Sequence, residues 1–335
     1  MPGVVEALLK PDAYDVEVKG EIKLMQTHIS YVFLTGDYAY KVKKPVDFGF
    51  LDFTTLDKRQ FYCQEELRLN RRLCGDMYLE VVPINRYNDV IKMKGPGETV
   101  EYAVKMRQLP QEAIMSELLE KGDVTEKQIE EIARLLVDFH TRATVGGLDE
   151  DYGSVEQVRA NWIQNFEQTR HLRGGVVDAS AYDRLEDKVM KFIEEKEGLI
   201  EERVVAGRVR ECHGDVHSGN IFIVGDEIYI FDGIEFNKAF SFTDVAAEVA
   251  FLAMDLEFYN REDLAGLFLE EYVKRSGDQG LKQLLPFYKC YRAYVRAKVT
   301  GLRLTEKNLD PVERKGIEEG ARLYFELASR YAEGL

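Results

Sequence analysis

The segment His213-Gly-Asp-Val-His-Ser-Gly-Asn220, with a further carboxylate at Asp232, holds residue types and spacings that suit phosphoryl transfer. That chemistry needs positioned magnesium, a group that accepts or orients the proton of the attacking hydroxyl, and cations on the phosphates. Magnesium takes oxygen ligands and few protein groups, so Asn220 and Asp232 are expected to hold one or two Mg2+ ions. Asp215 lies five residues before Asn220. This is the separation between base and metal-binding asparagine in H-R-D-x-x-x-x-N, and Asp215 is expected to act on the hydroxyl proton. His213 is read as an orienter of the loop backbone, and His217 as a loop brace or a contact to phosphate or acceptor.

These groups need elements to hold them. Ile221-Phe-Ile-Val224 and Glu227-Ile-Tyr-Ile-Phe231 flank Gly225-Asp226, a two-residue hairpin signal. The register then pairs Val224 with Glu227 and, moving outward, sets Asn220 opposite Phe231, so that Asn220 and Asp232 meet at the open end. Upstream, Tyr31 to Leu34 and Tyr38 to Val42 are short strands about the turn Thr35-Gly-Asp37. Tyr38-Ala-Tyr-Lys41 has the form of the V-A-I-K strand ending that supplies a phosphate-binding lysine. Lys43 faces the same way and competes for that role. On the following helix, about Thr55 to Leu73, Glu66 shares a face with Tyr62, Leu69 and Leu73. A carboxylate on a largely apolar stripe needs a partner, and Lys41 is the favoured one, while Glu65 falls about 100° away. Strands are expected at Leu79 to Ile84, Asp89 to Met93 and Val100 to Met106. Beyond Leu109 the pattern turns helical, with a capping box at Thr125 and Gln128, a helix starting at Ser154, and a long run from Asp178 to Leu199.

Val-Arg-Glu-Cys-His-Gly-Asp-Val-His-Ser-Gly-Asn-Ile-Phe-Ile followed by Ile-Phe-Asp232 resembles the aminoglycoside phosphotransferase family, within the protein-kinase-like fold. The order Lys41, Glu66, linker, Asp215, Asn220, Asp232 matches that family across nearly the whole chain. Thr27 to Leu34, Tyr40 to Val46 and Asp232 to Asn237 are similar to a poorly characterised branch whose members are often fused to a P-loop kinase domain. No G-x-x-x-x-G-K-[ST] occurs in this sequence, so the resemblance implies a standalone form. It implies an α+β, bilobal fold with a β-rich N-terminal lobe over residues 1–108, a mostly helical C-terminal lobe over 109–335, and ATP with Mg2+ in the cleft. It implies that Arg107, Gln108 and Leu109 offer backbone groups to adenine, and that Asp244 braces the catalytic loop. A plain N-cap accounts for Asp244 equally well. The segment between Thr27 and Gly36 is not glycine-rich, which leaves Thr27, His28 and Ser30 as phosphate contacts. Asp232-Gly-Ile-Glu235 departs from D-F-G. Glu235 is read as facing metal or acceptor, or equally as a solvated loop carboxylate.

The acceptor is expected to be a small molecule with a hydroxyl. Arg292 and Arg296, one turn apart, point to an anionic acceptor or to an ion-paired helix surface. Asn161, Trp162 and Asn165 are either acceptor lining or core. A net charge of −15 over 335 residues disfavours a general nucleic-acid binder. No apolar run spans a membrane, no leader segment is evident, and the four scattered cysteines form no C-x-x-C pair. Buried thiols and a cytoplasmic location are therefore expected. Three other functions compete with small-molecule phosphotransfer. They are an ATP-binding pseudokinase, a protein kinase, and a two-metal phosphoesterase suggested by Gly214-Asp-Val-His217, although the chain has only five histidines for such a site.

Overall fold

Strand β3 (Tyr38–Lys43) is buried along nearly its whole length because it lies inside a sheet and both its faces are covered. A computed structural model describes residues 1–146, 150–305 and 309–335. The sheet is six-stranded and antiparallel, in the order β1 (Lys23–Gln26), β2 (Ser30–Leu34), β3, β6 (Glu98–Arg107), β4 (Tyr78–Tyr87), β5 (Val90–Met93). The period of two sends Tyr40 and Val42 into one core with Phe33, Val82 and Ile84. Ala39 goes to the opposite face, into a core with Leu34, Cys63 and Val104, and Lys41 and Lys43 share its facing. At the β2–β3 turn Gly36 has φ +101°, and a Cβ there would lie 2.6 Å from that of Lys19. Helix α1 is Pro2–Leu8. Helix α2 (Leu56–Cys74) starts at Thr55, whose hydroxyl accepts the Lys58 N–H, and it buries Cys63, Glu66, Leu69 and Asn70.

Two compact units emerge, Met1–Lys121 with Gly219–Lys238, and Gly122–Ser218 with Ala239–Leu335. The break expected at 108/109 falls inside the first unit. The reason is packing: Leu109 shares a core with Phe222 and Tyr229, and Ile114, just before α3 (Met115–Lys121), bridges to Phe222. The hairpin β8 (Ile221–Val224) and β9 (Glu227–Ile230), expected with the helical part, thus belongs to the β-rich unit. Its register is the expected one, Val224 opposite Glu227, and the Phe231 N–H donates to the Asn220 carbonyl at 3.0 Å.

The second unit is mostly helical. It contains α4 (Glu126–Arg142), α5 (Val155–Thr169), α6 (Ala179–Glu195), α7 (Glu197–Val205), the short α8 (Lys238–Ser241), which begins one residue earlier, α9 (Val245–Phe258), α10 (Glu262–Ser276), α11 (Leu285–Leu302) and α12 (Pro311–Ala332), with the strand pair β7 (Val209–Glu211) and β10 (Phe242–Asp244). The Thr125–Gln128 capping box forms in full. The helix expected over Asp178 to Leu199 is instead two helices broken at Lys196, where the buried stripe of α6 has ended at Ile193 and Ile200 begins another. Trp162 is fully buried among Phe166, Phe287, Tyr291 and Tyr294, which settles its role as core.

Candidate active site

In the β-rich unit the two lysines of β3 reach one carboxylate. Lys41 Nζ lies 2.8 Å from Glu66 Oε1 and Lys43 Nζ lies 2.6 Å from Glu66 Oε2. Lys41 also donates to Asp232, and Lys43 to Glu235. Glu235 is buried, so it is not a solvated loop group, and its carboxylate is occupied by a cation. Burial works against the charge on Lys41, but Asp232 and Glu66 outweigh it and hold the amine above its usual range. Lys43 is raised likewise by Glu235 and Glu66. Burial also opposes the charge on Glu66, and the two lysines overcome it and hold this carboxyl low.

Asp232 stands apart from this buried set. Its side chain is 42% exposed, and its backbone has φ +65°, a conformation aspartate tolerates better than most residues. The next residue is fixed from α2: the Gly233 N–H donates to Asn70 Oδ1 at 2.9 Å, and Asn70 Nδ2 donates to the Glu66 carbonyl at 2.9 Å. Sequence reasoning missed Asn70. Its signal was its place one turn beyond Glu66 on the same face. Phe236 then packs on Phe50 and Phe53, and Asn237 donates to the Phe50 carbonyl. Asn220 is buried at the base of the hairpin.

Around the β2 strand, Ser30 is fully buried and its hydroxyl has no protein partner among the described residues. Thr27 Oγ1 accepts the N–H groups of Ile29 and Ser30, which closes the turn on itself; His28 is exposed. In the linker, Arg107 pairs with Asp76, and Leu109 is core. Gln108 is spent on the β2–β3 turn, its N–H donating to the Asp37 carbonyl and its Oε1 accepting the Gly36 N–H.

In the helical unit, the loop bearing Asp215 is held by three side chains from α9 and α11. Glu248 accepts the N–H groups of His213 and Gly214 at 3.1 and 2.5 Å. Asp255 accepts the Ser218 N–H at 2.7 Å. The Arg292 guanidinium donates to the carbonyls of Gly214 and Ala247. This corrects two expectations. Asp244 does not brace the loop: it caps α9 through the Ala246 N–H and pairs with Arg203 at 2.6 Å. Arg292 is neither an open acceptor group nor a surface ion pair, because it is buried and its donors are taken by backbone carbonyls. His213 Nδ1 faces the Asp215 N–H at 3.3 Å, in keeping with a loop orienter.

Asp215 itself lies 3.5 Å from His217 Nε2. Burial opposes its charge, but His217, Arg296 and His213 outweigh that and hold its carboxyl well below the usual carboxylate range. It is an ionised hydrogen-bond acceptor at neutral pH. Behind Glu248, His140 is buried, with Nε2 at 2.9 Å from Glu248 and Nδ1 at 2.7 Å from the Tyr272 hydroxyl. The donor atoms of His140, Cys212 and Glu248 all lie within 4.8 Å of one another, but the direct His140–Glu248 hydrogen bond occupies the space a cation would need. Among the described residues no helix is long and apolar enough to cross a membrane.

No protein-family profile matches the chain. Uncharacterised proteins of Mycobacterium bovis and Mycobacterium tuberculosis are each 34% identical over 295 residues, covering 88% of this chain and 58% of theirs. The chain thus spans somewhat over half the length of the curated relatives it matches. Among solved structures it is similar to a choline/ethanolamine kinase family protein from Mesorhizobium loti (TM-score 0.55, 12% identity, 99% of this chain and 100% of that one). It is similar to choline kinase from Cryptosporidium parvum (TM-score 0.58, 12% identity, 94% and 89%). It is also similar to the GDP complex of aminoglycoside 2'-phosphotransferase-IIIa (TM-score 0.56, 14% identity, 94% and 94%). The chain therefore has the α+β, protein-kinase-like fold of the choline/ethanolamine kinases and aminoglycoside phosphotransferases.

Proposed function

We propose that this protein transfers the γ-phosphate of ATP to a hydroxyl of a small molecule, with Mg2+. The observation that carries the proposal is Lys41, buried and charged between Glu66 and the half-exposed Asp232. A lysine kept charged and aimed in that way is prepared to meet phosphate oxygens. The likeness in fold to small-molecule kinases, one of them solved with GDP, supports the same reading.

Asn220 and Asp232 fit a magnesium ion by donor type, since both offer hard oxygen ligands and the Asp232 carboxylate is partly exposed. Bound there, magnesium would neutralise charge on the β- and γ-phosphates. Lys41 would take the α- and β-phosphates, Glu66 would keep its amine aimed, and the linker Arg107 to Leu109 would meet adenine, chiefly through Leu109 because the Gln108 N–H is already engaged. Ser30, whose buried hydroxyl has no partner among the described residues, would serve the phosphate side.

Asp215 orients the acceptor hydroxyl. As the new bond forms from that oxygen to the γ-phosphorus, the bond to the β–γ bridging oxygen breaks and ADP leaves. The hydroxyl proton passes to Asp215 and then to solvent. A carboxylate held this low is a weak base, so it acts mainly by orientation and takes the proton late. Replacing Asp215 by Asn should leave nucleotide affinity within about twofold and reduce turnover by about 10²–10⁴. Nucleotide titration together with ADP release would measure both. Undiminished turnover removes Asp215 from this role, and tight nucleotide binding with no turnover by the unmodified protein would favour a regulatory ATP-binding module.

A further inference from the structure

Arg296 on α11 is a half-buried cation whose donors are only partly used. One terminal nitrogen stands 3.4 Å from His217 Nε2 and the other 3.5 Å from the Tyr324 hydroxyl, both at the long limit of hydrogen bonding. Its Nε is buried with no partner. The guanidinium lies over the Tyr324 ring, 5.3 Å from the centroid, and that ring stacks on Phe258. Among the described residues no carboxylate stands at ion-pair distance from it; Asp215 and Asp255 act on it only at longer range. Arginine offers five N–H donors in a fixed fork. A buried guanidinium normally satisfies them on a carboxylate or on carbonyls, as Arg203 and Arg292 do in this same unit.

His217 does not relieve the shortfall. Its Nε2 faces both Asp215 Oδ2 and Arg296. If that nitrogen carries a proton it serves Asp215 and offers Arg296 nothing. If it is bare it accepts from Arg296 and turns a lone pair on the carboxylate. In either state the buried Nε–H of Arg296 keeps no acceptor, a costly arrangement unless something else supplies one.

We infer that Arg296, with His217 beside it, is an anion-recognising subsite next to Asp215, and that the phosphate acceptor carries a carboxylate or phosphate near its reacting hydroxyl. The inference rests on the phosphotransfer reading and deepens it by giving the acceptor a charge. Glu235, read from the sequence as facing metal or acceptor, offers no free charge to a cationic acceptor, because it is buried and paired with Lys43. Bound anionic oxygens would accept from the Nε and terminal N–H groups together, which fixes the distance from the acceptor's anionic group to its hydroxyl.

The test has three arms. ADP release is measured with hydroxy carboxylates, sugar phosphates, amino alcohols and aminoglycosides. Turnover of a carboxylate- or phosphate-bearing alcohol, with Arg296→Gln raising its KM about thirtyfold or more and leaving the KM for ATP alone, is the expected result. Which of the two anions is preferred distinguishes the acceptor classes. Turnover confined to amino alcohols or aminoglycosides overturns the inference while sustaining phosphotransfer. In the second arm, inorganic sulfate is titrated with a non-hydrolysable ATP analogue and magnesium present, and again without them. Saturable binding lost in Arg296→Gln supports the subsite even if no acceptor is turned over, and no such binding overturns it. The third arm is stability: removing an under-satisfied buried cation should leave the melting temperature of Arg296→Met unchanged or higher. A large fall in the melting temperature of Arg296→Met, together with sulfate binding unchanged in Arg296→Gln, would make the residue structural and overturn the inference.

Discussion

Lys43→Met is the perturbation that best separates the two lysines of β3. Methionine keeps most of the apolar stem of the side chain and loses the ammonium, which stands 4.9 Å from the centroid of the Phe53 ring. What changes is charge. Glu66 retains Lys41, whereas Glu235, with a side chain 3% exposed, loses its cation. An unpaired buried carboxylate costs about 3–5 kcal/mol. The escape is to take up a proton, which for a glutamate of ordinary pKa costs about 3.7 kcal/mol at pH 7 and about 1 kcal/mol at pH 5. Burial already pushes the Glu235 carboxyl up in the presence of Lys43, so protonation is the route the variant will take. The sign follows: a group whose folded pKa is raised contributes stability below its unfolded pKa and loses it as pH rises. The variant should therefore lie about 3.5 kcal/mol below the wild type at pH 7 and only about 1 kcal/mol below it at pH 5. Urea unfolding at both pH values, followed by circular dichroism with amide exchange in β3 as a local probe, measures the gap. Lys41→Met is the control. Glu66 keeps Lys43, and Asp232 is exposed enough to stay hydrated, so stability should fall by less than in Lys43→Met while nucleotide affinity drops. Equal stability of Lys43→Met and wild type at pH 7, or a gap that does not narrow at pH 5, would refute the argument.

Asp232→Ala should weaken binding of ATP in the presence of magnesium more than in its absence, since the partly exposed carboxylate is the proposed ligand of the ion; parallel titrations with and without magnesium read the difference. Glu248, buried and held down to about 2 mainly by His140 against the effect of burial, contributes stability above its unfolded pKa of about 4.3 that is lost as pH falls toward its folded value. The acid unfolding of Glu248→Gln should accordingly show a shallower pH dependence than that of the wild type. Tyr272→Phe removes the hydroxyl that fixes His140 and should speed amide exchange at His213 and Gly214 by severalfold without a matching change elsewhere in the helical unit.

The parts of this site that were legible in the sequence were those set by short-range geometry. The Gly225-Asp226 turn fixes the β8–β9 register, and the period of two along β3 gives Lys41 and Lys43 one facing. The parts that were not legible were long-range. Nothing near Arg292 says that its donors meet the carbonyls of Gly214 and Ala247, and nothing near Glu235 says that Lys43 awaits it. One class of residue lies between these cases. Glu66 was identified because a charge on an apolar stripe requires a partner. Glu248 and Asp255 satisfy the same criterion more strongly, since every residue of α9 from Val245 to Leu256 is buried. Two carboxylates seven residues apart on such a helix share a face and must meet donors, and the nearest loop rich in amide donors is the one bearing Asp215. Applied to α9, the reasoning that paired Glu66 with a lysine leads to the brace at Glu248 and Asp255, and away from Asp244. It also explains why Glu66 does not choose between Lys41 and Lys43: a carboxylate has two oxygens, and here each faces one of the two lysine ammonium groups.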